Sequence, residues 1–204
     1  MITLNHNITK FEMSKPSAFL NPVPLVMVSC GSMEKANIIT LAWAGTINSD
    51  PPMLSVSVRK ERHSYGIIKE SGIFAVNLVS RALVKAADYC GVKSGRDVDK
   101  FRELNLSKTE GSFAPIPMIG ESPVNIECAV RQVVELGSHD MFISEIKKVH
   151  VAERLMDQNG NIDLAKAELA AYSHGEYFQL GEWLGFFGFS VANPDILARR
   201  SRHR

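Results

Sequence analysis

Cationic and hydroxyl residues are concentrated between positions 57 and 64, where they could bind an anion. The segment contains Ser57, Arg59, Lys60, Arg62, His63 and Ser64. An arginine can make a forked, charge-assisted contact to a phosphate, whereas a lysine supplies a point charge. Ser64 has the residue type of a helix N-cap, and a helix starting there would add free N–H groups and a positive dipole end. The segment therefore predicts a site for a phosphate monoester, which carries nearly two negative charges at neutral pH.

The stretch from 37 to 49 mixes small residues with hydrogen-bonding groups, and it predicts where the body of the same ligand would lie. Ala42, Ala44 and Gly45 would let a ligand approach the backbone closely. The hydrogen-bonding residues that surround Trp43 are Asn37, Thr40, Thr46, Asn48 and Ser49. A flat heteroaromatic ring with carbonyl and ring-nitrogen edges needs such partners. Flavin mononucleotide (FMN) has this shape, with a planar tricycle, a polyol chain and a terminal phosphate.

Each of these residues also has a purely structural interpretation. Residues 59–63 could be a solvated charged loop, Asn48 and Ser49 could be ordinary turn residues, and Trp43 could fill the core. His139 has the pKa range to steer a nicotinamide or a proton, but it could equally be a turn histidine without a chemical role. The clustering of the polar residues around one pair of predicted strands favours the binding site.

Strands and short helices must position these residues, and the hydrophobic pattern places them along the chain. Leu54, Val56 and Val58 alternate with polar residues, as in a half-exposed strand that carries its serines on one face. Ser64 and Ser80 are expected to cap the first two helices. The predicted strands are 24–32, 37–43, 53–60, 73–79, 125–136 and 140–153, and the predicted helices are 63–72, 80–91, 96–104 and 163–172.

Tight connections between the strands decide the expected fold class. Residues 137–139 would join two long strands into an antiparallel hairpin. A doubly wound parallel sheet would instead need a helix between nearly every pair of strands. We therefore expect a mainly β fold with peripheral helices, in the form of an antiparallel barrel. The 204 residues suit one domain, with a core at about 20–190 and a flexible basic tail after it.

Composition predicts a cytoplasmic protein without nucleic-acid or membrane partners. The formal net charge is +1 and the pI is about 7.8, which does not indicate a nucleic-acid surface. Cys30, Cys90 and Cys128 are widely spaced, so neither a disulfide framework nor a metal site is expected. No apolar run approaches the roughly 20 residues that span a bilayer. Residues 1–17 lack the pattern of a signal peptide.

Three motifs occur in a fixed order along the chain, and the likeness that they carry covers roughly residues 20–190. In the first, an Asn-x-x-Thr segment, a tryptophan and a Ser-x-Pro-Pro turn precede a strand, two basic residues and a serine. Its residues are Asn37, Thr40, Trp43, Ser49, Pro51, Pro52, Arg59, Lys60 and Ser64. The second motif, at 135–146, is a Gly-x-His turn followed by a hydrophobic strand that carries an acidic residue. The third, at 177–183, contains a Tyr…Leu-Gly segment. Together they resemble the flavin reductase-like, FMN-binding split-barrel family, which includes the flavoredoxins, although its members often have glycine where Ser144 stands here.

The resemblance implies a split β-barrel homodimer that binds FMN near the subunit interface, with FAD as the alternative flavin. The flavin ring or ribityl chain would contact Asn37, Thr40 and the backbone around Ala42 and Trp43. Residues 43–49, which include Asn48 and Ser49, are expected to form a loop whose backbone N–H groups would face the ring edge. The residues on the phosphate side would be Ser57, Arg59, Lys60 and Ser64.

A bound flavin implies an oxidoreductase, because flavin accepts a hydride at N5 and passes electrons on. The leading expectation is an NAD(P)H-dependent flavin reductase in which His139 has a direct catalytic role. Since the chain has no Gly-x-Gly-x-x-Gly fingerprint, NAD(P)H would bind over the flavin without a Rossmann unit. One alternative is a flavoredoxin-type electron carrier that serves redox proteins and has no nicotinamide site. The other is a flavin-binding protein without redox turnover.

Overall fold

The computed structural model describes residues 8–201, so the first part of the segment examined for a signal peptide and the end of the basic tail lie outside it. The strands are β1 (Val23–Pro24), β2 (Val26–Gly31), β3 (Ala36–Leu41), β4 (Ala44–Ser49), β5 (Pro52–Arg59), β6 (Ile73–Leu78), β7 (Lys108–Glu110), β8 (Pro117–Ile119), β9 (Val124–Glu135), β10 (His139–Val151), β11 (Ala170–Ser173) and β12 (Glu176–Gln179). The α-helices are α1 (His63–Ser71), α2 (Val84–Val92), α3 (Lys100–Glu103) and α4 (Pro194–Ser201). Short 3-10 helices cover Arg81–Leu83, Glu153–Leu155, Leu164–Ala167 and Phe189–Val191.

Seven strands form one antiparallel sheet in the order β3-β2-β6-β9-β10-β5-β4. Its edge strands, β3 and β4, are consecutive in the chain, and both pack on one apolar cluster through Ile39 and Ala44. The sheet therefore curls around a common core and stays split between β3 and β4. This is the mainly β, antiparallel split barrel with peripheral helices that the sequence predicted. Strands β1, β11 and β12 form a second sheet, and β7 pairs with β8.

Strand β2 is buried on both faces because it separates two apolar clusters. Val26 and Val28 pack in the barrel core, whereas Met27 packs with Leu25 in a second cluster. Helices α2 and α3 cover the barrel on this second side through Ala87 and other apolar residues. Two-sided burial explains why the sequence of β2 is almost continuously apolar.

The alternation along β5 and the long hairpin are confirmed. Leu54, Val56 and Val58 are buried in the barrel core, which leaves Ser57 and Arg59 on the opposite face of the strand. Strands β9 and β10 pair in antiparallel register over most of their length. The first residue of β10, His139, lies opposite Arg59 at the end of β5. The pairing of β10 with β5 thus brings the predicted histidine beside the predicted arginine.

The predicted helix over 163–172 is wrong. Its first part forms only the 3-10 helix Leu164–Ala167, which ends at Glu168 in the left-handed conformation with φ of 49°. The N–H group of Ala170 then donates to Val79 O at 2.9 Å, and β11 pairs with both β1 and β12. Pairing with neighbouring strands therefore overrides the helix propensity of this alanine-rich segment.

The predicted capping role of Ser64 is also wrong. Helix α1 begins at His63, and its N-cap residue is Arg62, which makes no side-chain capping hydrogen bond. The hydroxyl of Ser64 instead accepts a buried hydrogen bond of 2.7 Å from Nδ2 of Asn37. The prediction that Gly72 ends the helix is confirmed, since Gly72 has φ of 67°.

The next two predicted helices are shorter than expected. Ser80 makes no side-chain cap and precedes the 3-10 helix, so α2 begins only at Val84. In the predicted helix 96–104 only α3 is helical, and Asp99 is its N-cap, with the carboxylate accepting from Arg102 N at 3.2 Å. Residues 94–98 instead form turns. These turns hold the backbone around Gly95 against the barrel.

Two further differences concern segments expected to lack regular structure. Residues 44–49 form strand β4 instead of a loop, because they pair with β5 at the edge of the barrel. Helix α4 includes residues 198–201, the start of the basic tail that was expected to be flexible. None of the helices within residues 8–201 is both long and apolar enough to cross a lipid bilayer.

Candidate functional site

A cavity of about 580 Å³, here called the main cavity, lies beside the open edge of the barrel. One wall is the end of β3 with the two residues that follow it, and another is the polar face of β5. The turn between β11 and β12 and the segment before β1 form the remaining wall. The lining residues are Ala18, Leu20, Asn21, Val23, Ile39, Thr40, Leu41, Ala42, Trp43, Ser57, Arg59, Arg62, His139, Tyr172, His174 and Gly175. The volume lies in the range of small-molecule and cofactor sites.

Trp43 and His139 form an aromatic wall of this cavity. Their ring centroids are 4.4 Å apart and their planes are inclined by 50°. The backbone of Trp43 is held by β5, because its carbonyl accepts from Ser57 N at 2.9 Å. Burial, and to a lesser extent the nearby Arg59, lowers the pKa of His139. At neutral pH the histidine therefore presents an uncharged imidazole beside the indole.

A second, smaller cavity of about 150 Å³ adjoins the main one, and we call it the cationic cavity. The two cavities share Ile39 and Arg62 in their linings. The polar and charged residues that line the cationic cavity are Asn37, Glu61, Arg62, His63, Ser64, Lys93, Ser94, Arg96 and Lys100. Basic residues outnumber the single carboxylate, so the cavity has a positive potential that favours an anion.

Lys100 is the most unusual residue of the cationic cavity, because it is only 3% exposed and forms no ion pair within residues 8–201. Its ammonium group donates to the carbonyls of Ile38 and Cys90 at 2.6 and 2.8 Å. Burial, together with the charge of Arg62, lowers the pKa of Lys100. An ammonium group has three N–H donors. A buried positive charge with two neutral acceptors would be stabilised by an anion in the cavity.

Close packing shapes the polar wall of the cationic cavity. Asn37, at 5% exposure, holds Ser64 by the 2.7 Å hydrogen bond between their side chains. A Cβ atom built on Gly95 would lie 2.0 Å from Oδ1 of Asn37. Glycine is therefore required at this position, since any side chain would displace the asparagine. Burial and the charges of Arg96 and Lys100 lower the pKa of His63 on the same wall.

The structure brings together most of the residues predicted for the site. The predicted residues that line the main cavity are Thr40, Ala42, Trp43, Ser57, Arg59 and His139. Asn37 and Ser64 line the cationic cavity instead. The hydroxyl of Thr40 donates to Ala87 O at 2.5 Å, so its hydrogen is engaged within the protein.

Three predicted residues lie outside both cavities. Asn48 and Ser49 are exposed on β4, where the Asn48 side chain donates to Pro51 O at 2.8 Å. The ammonium group of Lys60 lies 3.3 Å from the carboxylate of Asp140. Its side chain, which is 46% exposed, therefore contacts β10 and does not line the cationic cavity.

Sequence reasoning missed several residues that the fold brings to the two cavities, including Lys100 and Arg96. Lys100 lies in the helix predicted at 96–104, and no local signal distinguishes it from an exposed lysine such as Lys93. Tyr172 lay in the wrongly predicted helix, whereas β11 places it in the lining of the main cavity. Both positions depend on contacts between segments far apart in the chain.

The three cysteines are free, buried thiols inside the fold. Burial raises the pKa of Cys30 and of Cys128 to about 12 and that of Cys90 to about 11, so their thiols are unreactive at neutral pH. In the described part of the chain, no group of three or more His, Cys, Asp or Glu residues could hold a metal ion.

Comparisons with known proteins identify the same region of the chain. The model of the flavin reductase like domain family matches residues 18–181. A flavoredoxin of Desulfovibrio vulgaris (Miyazaki F) is similar in structure, with a TM-score of 0.81 and 34% identity over 89% of this chain and 99% of that one. A flavoredoxin from Methanosarcina acetivorans has a TM-score of 0.79 and 28% identity over 90% of this chain and 100% of that one. An uncharacterised protein of Aeropyrum pernix is 34% identical over 135 residues, which is 66% of this chain but only 51% of that longer protein.

Proposed function

Because the chain belongs to the flavin reductase-like family, we propose that it binds FMN and acts as a flavin-dependent oxidoreductase. The observation that carries this proposal is the pair of adjoining cavities, one large and partly aromatic, the other small and cationic. A ligand that joins a planar ring system to a terminal phosphate fits this pair. FAD, which also contains a flavin ring and phosphate groups, is the alternative ligand.

The main cavity would hold the flavin rings. Trp43 and His139 supply an aromatic wall, and offset or edge contacts between rings stabilise such binding. Ala42 leaves the neighbouring backbone accessible to the polar edge of the ring. Tyr172 faces the same cavity from β11, and it adds a further aromatic surface.

The cationic cavity would hold the phosphate. The Lys100 ammonium group, whose third N–H donor has no partner among the described residues, supports a phosphate at this position. A buried positive charge without a carboxylate partner is stabilised by an anionic ligand. Arg62, which lines both cavities, would lie beside the polyol chain or the phosphate. Arg96 and Ser64 add a guanidinium group and a hydroxyl to the same wall.

FMN, when bound, would supply hydride and electron transfer chemistry at its ring. The residues of this chain would bind and orient the cofactor and limit the access of water to it. His139 is neutral at neutral pH because its pKa is lowered, so its imidazole could donate or accept one hydrogen bond at the ring edge. We retain it as the candidate catalytic residue.

For the reaction, we propose reduction of the flavin by NADH or NADPH, as in a flavin reductase. The main cavity lies at the split edge of the barrel, where a nicotinamide could approach a ring from the solvent side. Anaerobic addition of NADH or NADPH to the yellow protein is expected to bleach the flavin absorption within seconds. Mass spectrometry of the ligand released from native protein would identify the flavin as FMN or FAD.

An electron carrier is the second candidate, favoured by the likeness to the two flavoredoxins. A carrier would exchange electrons with a redox protein and would not need a nicotinamide site. Failure of both nicotinamides to bleach the flavin, together with rapid reduction by a reduced redox protein, would reject the reductase and support the carrier.

We also propose a cytoplasmic homodimer. Large apolar side chains are exposed along the C-terminal segment, with Leu184 at 87% and Phe187 at 103% exposure. Exposed apolar patches of this kind are typical of protein interfaces. Light scattering after size-exclusion chromatography is expected to give twice the monomer mass, whereas a monomer that retains FMN would reject a required interface.

A further inference from the structure

Asp140 is a fully buried carboxylate that contacts both ends of residues 60–65, here called the anchored loop, which run from the end of β5 into the first turn of α1. It follows His139 in β10 and lies opposite Val58, so its side chain faces the interior of the barrel. Its exposure is 0%. A buried carboxylate is costly unless specific partners compensate for its desolvation, so its contacts indicate what it does.

The partners of Asp140 come from two points in that loop. Tyr65 donates its phenolic hydrogen to Oδ2 of Asp140 at 2.6 Å. The ammonium group of Lys60 lies 3.3 Å from Oδ1. Lys69 donates to the Tyr65 hydroxyl at 3.1 Å, and the Tyr65 ring packs edge-on against Phe142 with a centroid distance of 5.7 Å. These contacts fix Lys60 and Tyr65 to strand β10.

The residues between these two anchor points line the cationic cavity. Arg62, His63 and Ser64 belong to its wall, and they lie between Lys60 and Tyr65 in the chain. Neither anchor residue lines that cavity or the main cavity. The carboxylate thus contacts the side of the anchored loop that lies away from the cationic cavity, while the opposite side of the anchored loop faces the ligand.

We propose that Asp140 is a positioning residue for phosphate recognition, and that Lys60 contributes to the same site through Asp140 without touching the ligand. This inference rests on the proposed FMN function. A loop held at both ends presents its cations in one geometry, so less conformational freedom is lost when the phosphate binds. The Tyr65 hydrogen bond and the Lys60 charge lower the pKa of Asp140, so the carboxylate is ionised at neutral pH.

The direction in which Asp140→Asn changes FMN affinity distinguishes a positioning role of Asp140 from a purely electrostatic effect. A carboxylate near a phosphate repels it, so removal of the charge alone would strengthen FMN binding. Loss of the loop anchor is instead expected to weaken FMN binding by about tenfold, as supporting residues of other charged sites do. Riboflavin, which has the same rings but no phosphate, should bind unchanged. The measurement is calorimetric titration of flavin-free protein with FMN and with riboflavin.

Two further variants make the test independent of the folding of D140N. Tyr65→Phe removes one anchor and leaves the charge, and it should lower the ratio of FMN to riboflavin affinity by about threefold. Lys60→Met should lower the ratio in the wild-type background but have no further effect in the D140N background, because both changes break one contact. Glu135→Gln is the matched control: it removes the exposed second partner of Lys60, at 3.5 Å, and should leave the ratio unchanged.

Three outcomes would overturn the positioning role. The first is a ratio of FMN to riboflavin affinity that is unchanged or raised in both D140N and Y65F. The second is an equal loss of FMN and riboflavin affinity. The third is additivity of the K60M and D140N effects, which would indicate that Lys60 contacts the phosphate directly. Failure of the proposed function is a separate result, since wild-type protein would then bind neither flavin.

Discussion

Glu127 and Lys100 are both almost completely buried charged residues, with 0% and 3% exposure, but their surroundings differ. The carboxylate of Glu127 accepts hydrogen bonds from the backbone N–H groups of Ser112, Phe113 and Ala114, and from the Ser112 hydroxyl. His150 Nε2 lies 2.7 Å from the same carboxylate. Lys100 has only two carbonyl acceptors and faces a cavity.

The difference separates a structural charge from a charge available to a ligand. The partners of Glu127 come from the chain itself, and they fasten residues 112–114 to strand β9. Lys100 lacks an anionic partner within residues 8–201, and the other charged residues of the cationic cavity are basic apart from Glu61. A buried charge therefore indicates a binding site only when the protein leaves part of its bonding capacity unused.

The largest effect is expected from Glu127→Gln, which removes the charge of the buried structural carboxylate. The amide group replaces an acceptor by a donor that faces backbone N–H groups, so the free energy of unfolding should fall by about 3 kcal/mol. Urea denaturation of the flavin-free protein measures this loss. The ratio of FMN to riboflavin affinity should stay at its wild-type value, and a changed ratio would contradict a purely structural role for Glu127.

Lys100→Met tests whether the buried cation binds the phosphate of FMN. Removal of the buried cation should weaken FMN binding by about 100-fold, or about 2.7 kcal/mol, because the phosphate would lose its most desolvated partner. Riboflavin affinity should be unchanged. The stability of the flavin-free protein should change by less than about 1 kcal/mol, since relief of the buried charge offsets the loss of two hydrogen bonds. Lys93→Met, at an exposed position on the same cavity, is the control for a general charge effect. Equal effects of the two variants would reject a special role for Lys100.

Acidification should destabilise the folded protein through protonation of Glu127. Burial alone would raise the pKa of Glu127, but hydrogen bonds from His150 and the backbone N–H groups outweigh it and bring the pKa below its ordinary value of 4.5. A carboxylate with a lowered pKa stabilises the folded protein above its unfolded pKa, and this stabilisation is lost as the pH falls through the folded pKa. Wild-type stability should therefore decrease below about pH 4.5 more steeply than that of E127Q. Denaturation curves at several pH values would show parallel decreases if Glu127 did not contribute.

The smallest effect is expected from Arg59→Ala. Its side chain is 55% exposed and lies 3.4 Å from Glu61, so solvent and a competing carboxylate weaken its attraction for a phosphate. FMN affinity should fall only about threefold. Fluorescence titration would measure the change, and a loss as large as that of K100M would move the phosphate from the cationic cavity to the mouth of the main cavity.

Local patterns predicted the parts of the fold in which burial alternates along one strand or a tight turn joins two strands. The alternation in β5 and the Gly-Ser-His turn both place residues without reference to distant segments. They placed Ser57 and Arg59 on one face of β5 and His139 at the start of β10, but only the pairing of these two strands brings the residues together. The helix predicted at 163–172 failed because its alanine-rich composition carries no information about the strands that pair with it.

The amino-acid sequence alone determined the antiparallel barrel, and its ordered motifs resembled those of the family to which the chain belongs. Only the tertiary structure decided which polar residues face a cavity. It directs Lys60 to Asp140, turns Ser64 to Asn37, and brings Lys100 under β3. The physical reason is that the direction of a side chain depends on partners far away in the sequence, whereas periodicity reports only whether a residue is buried.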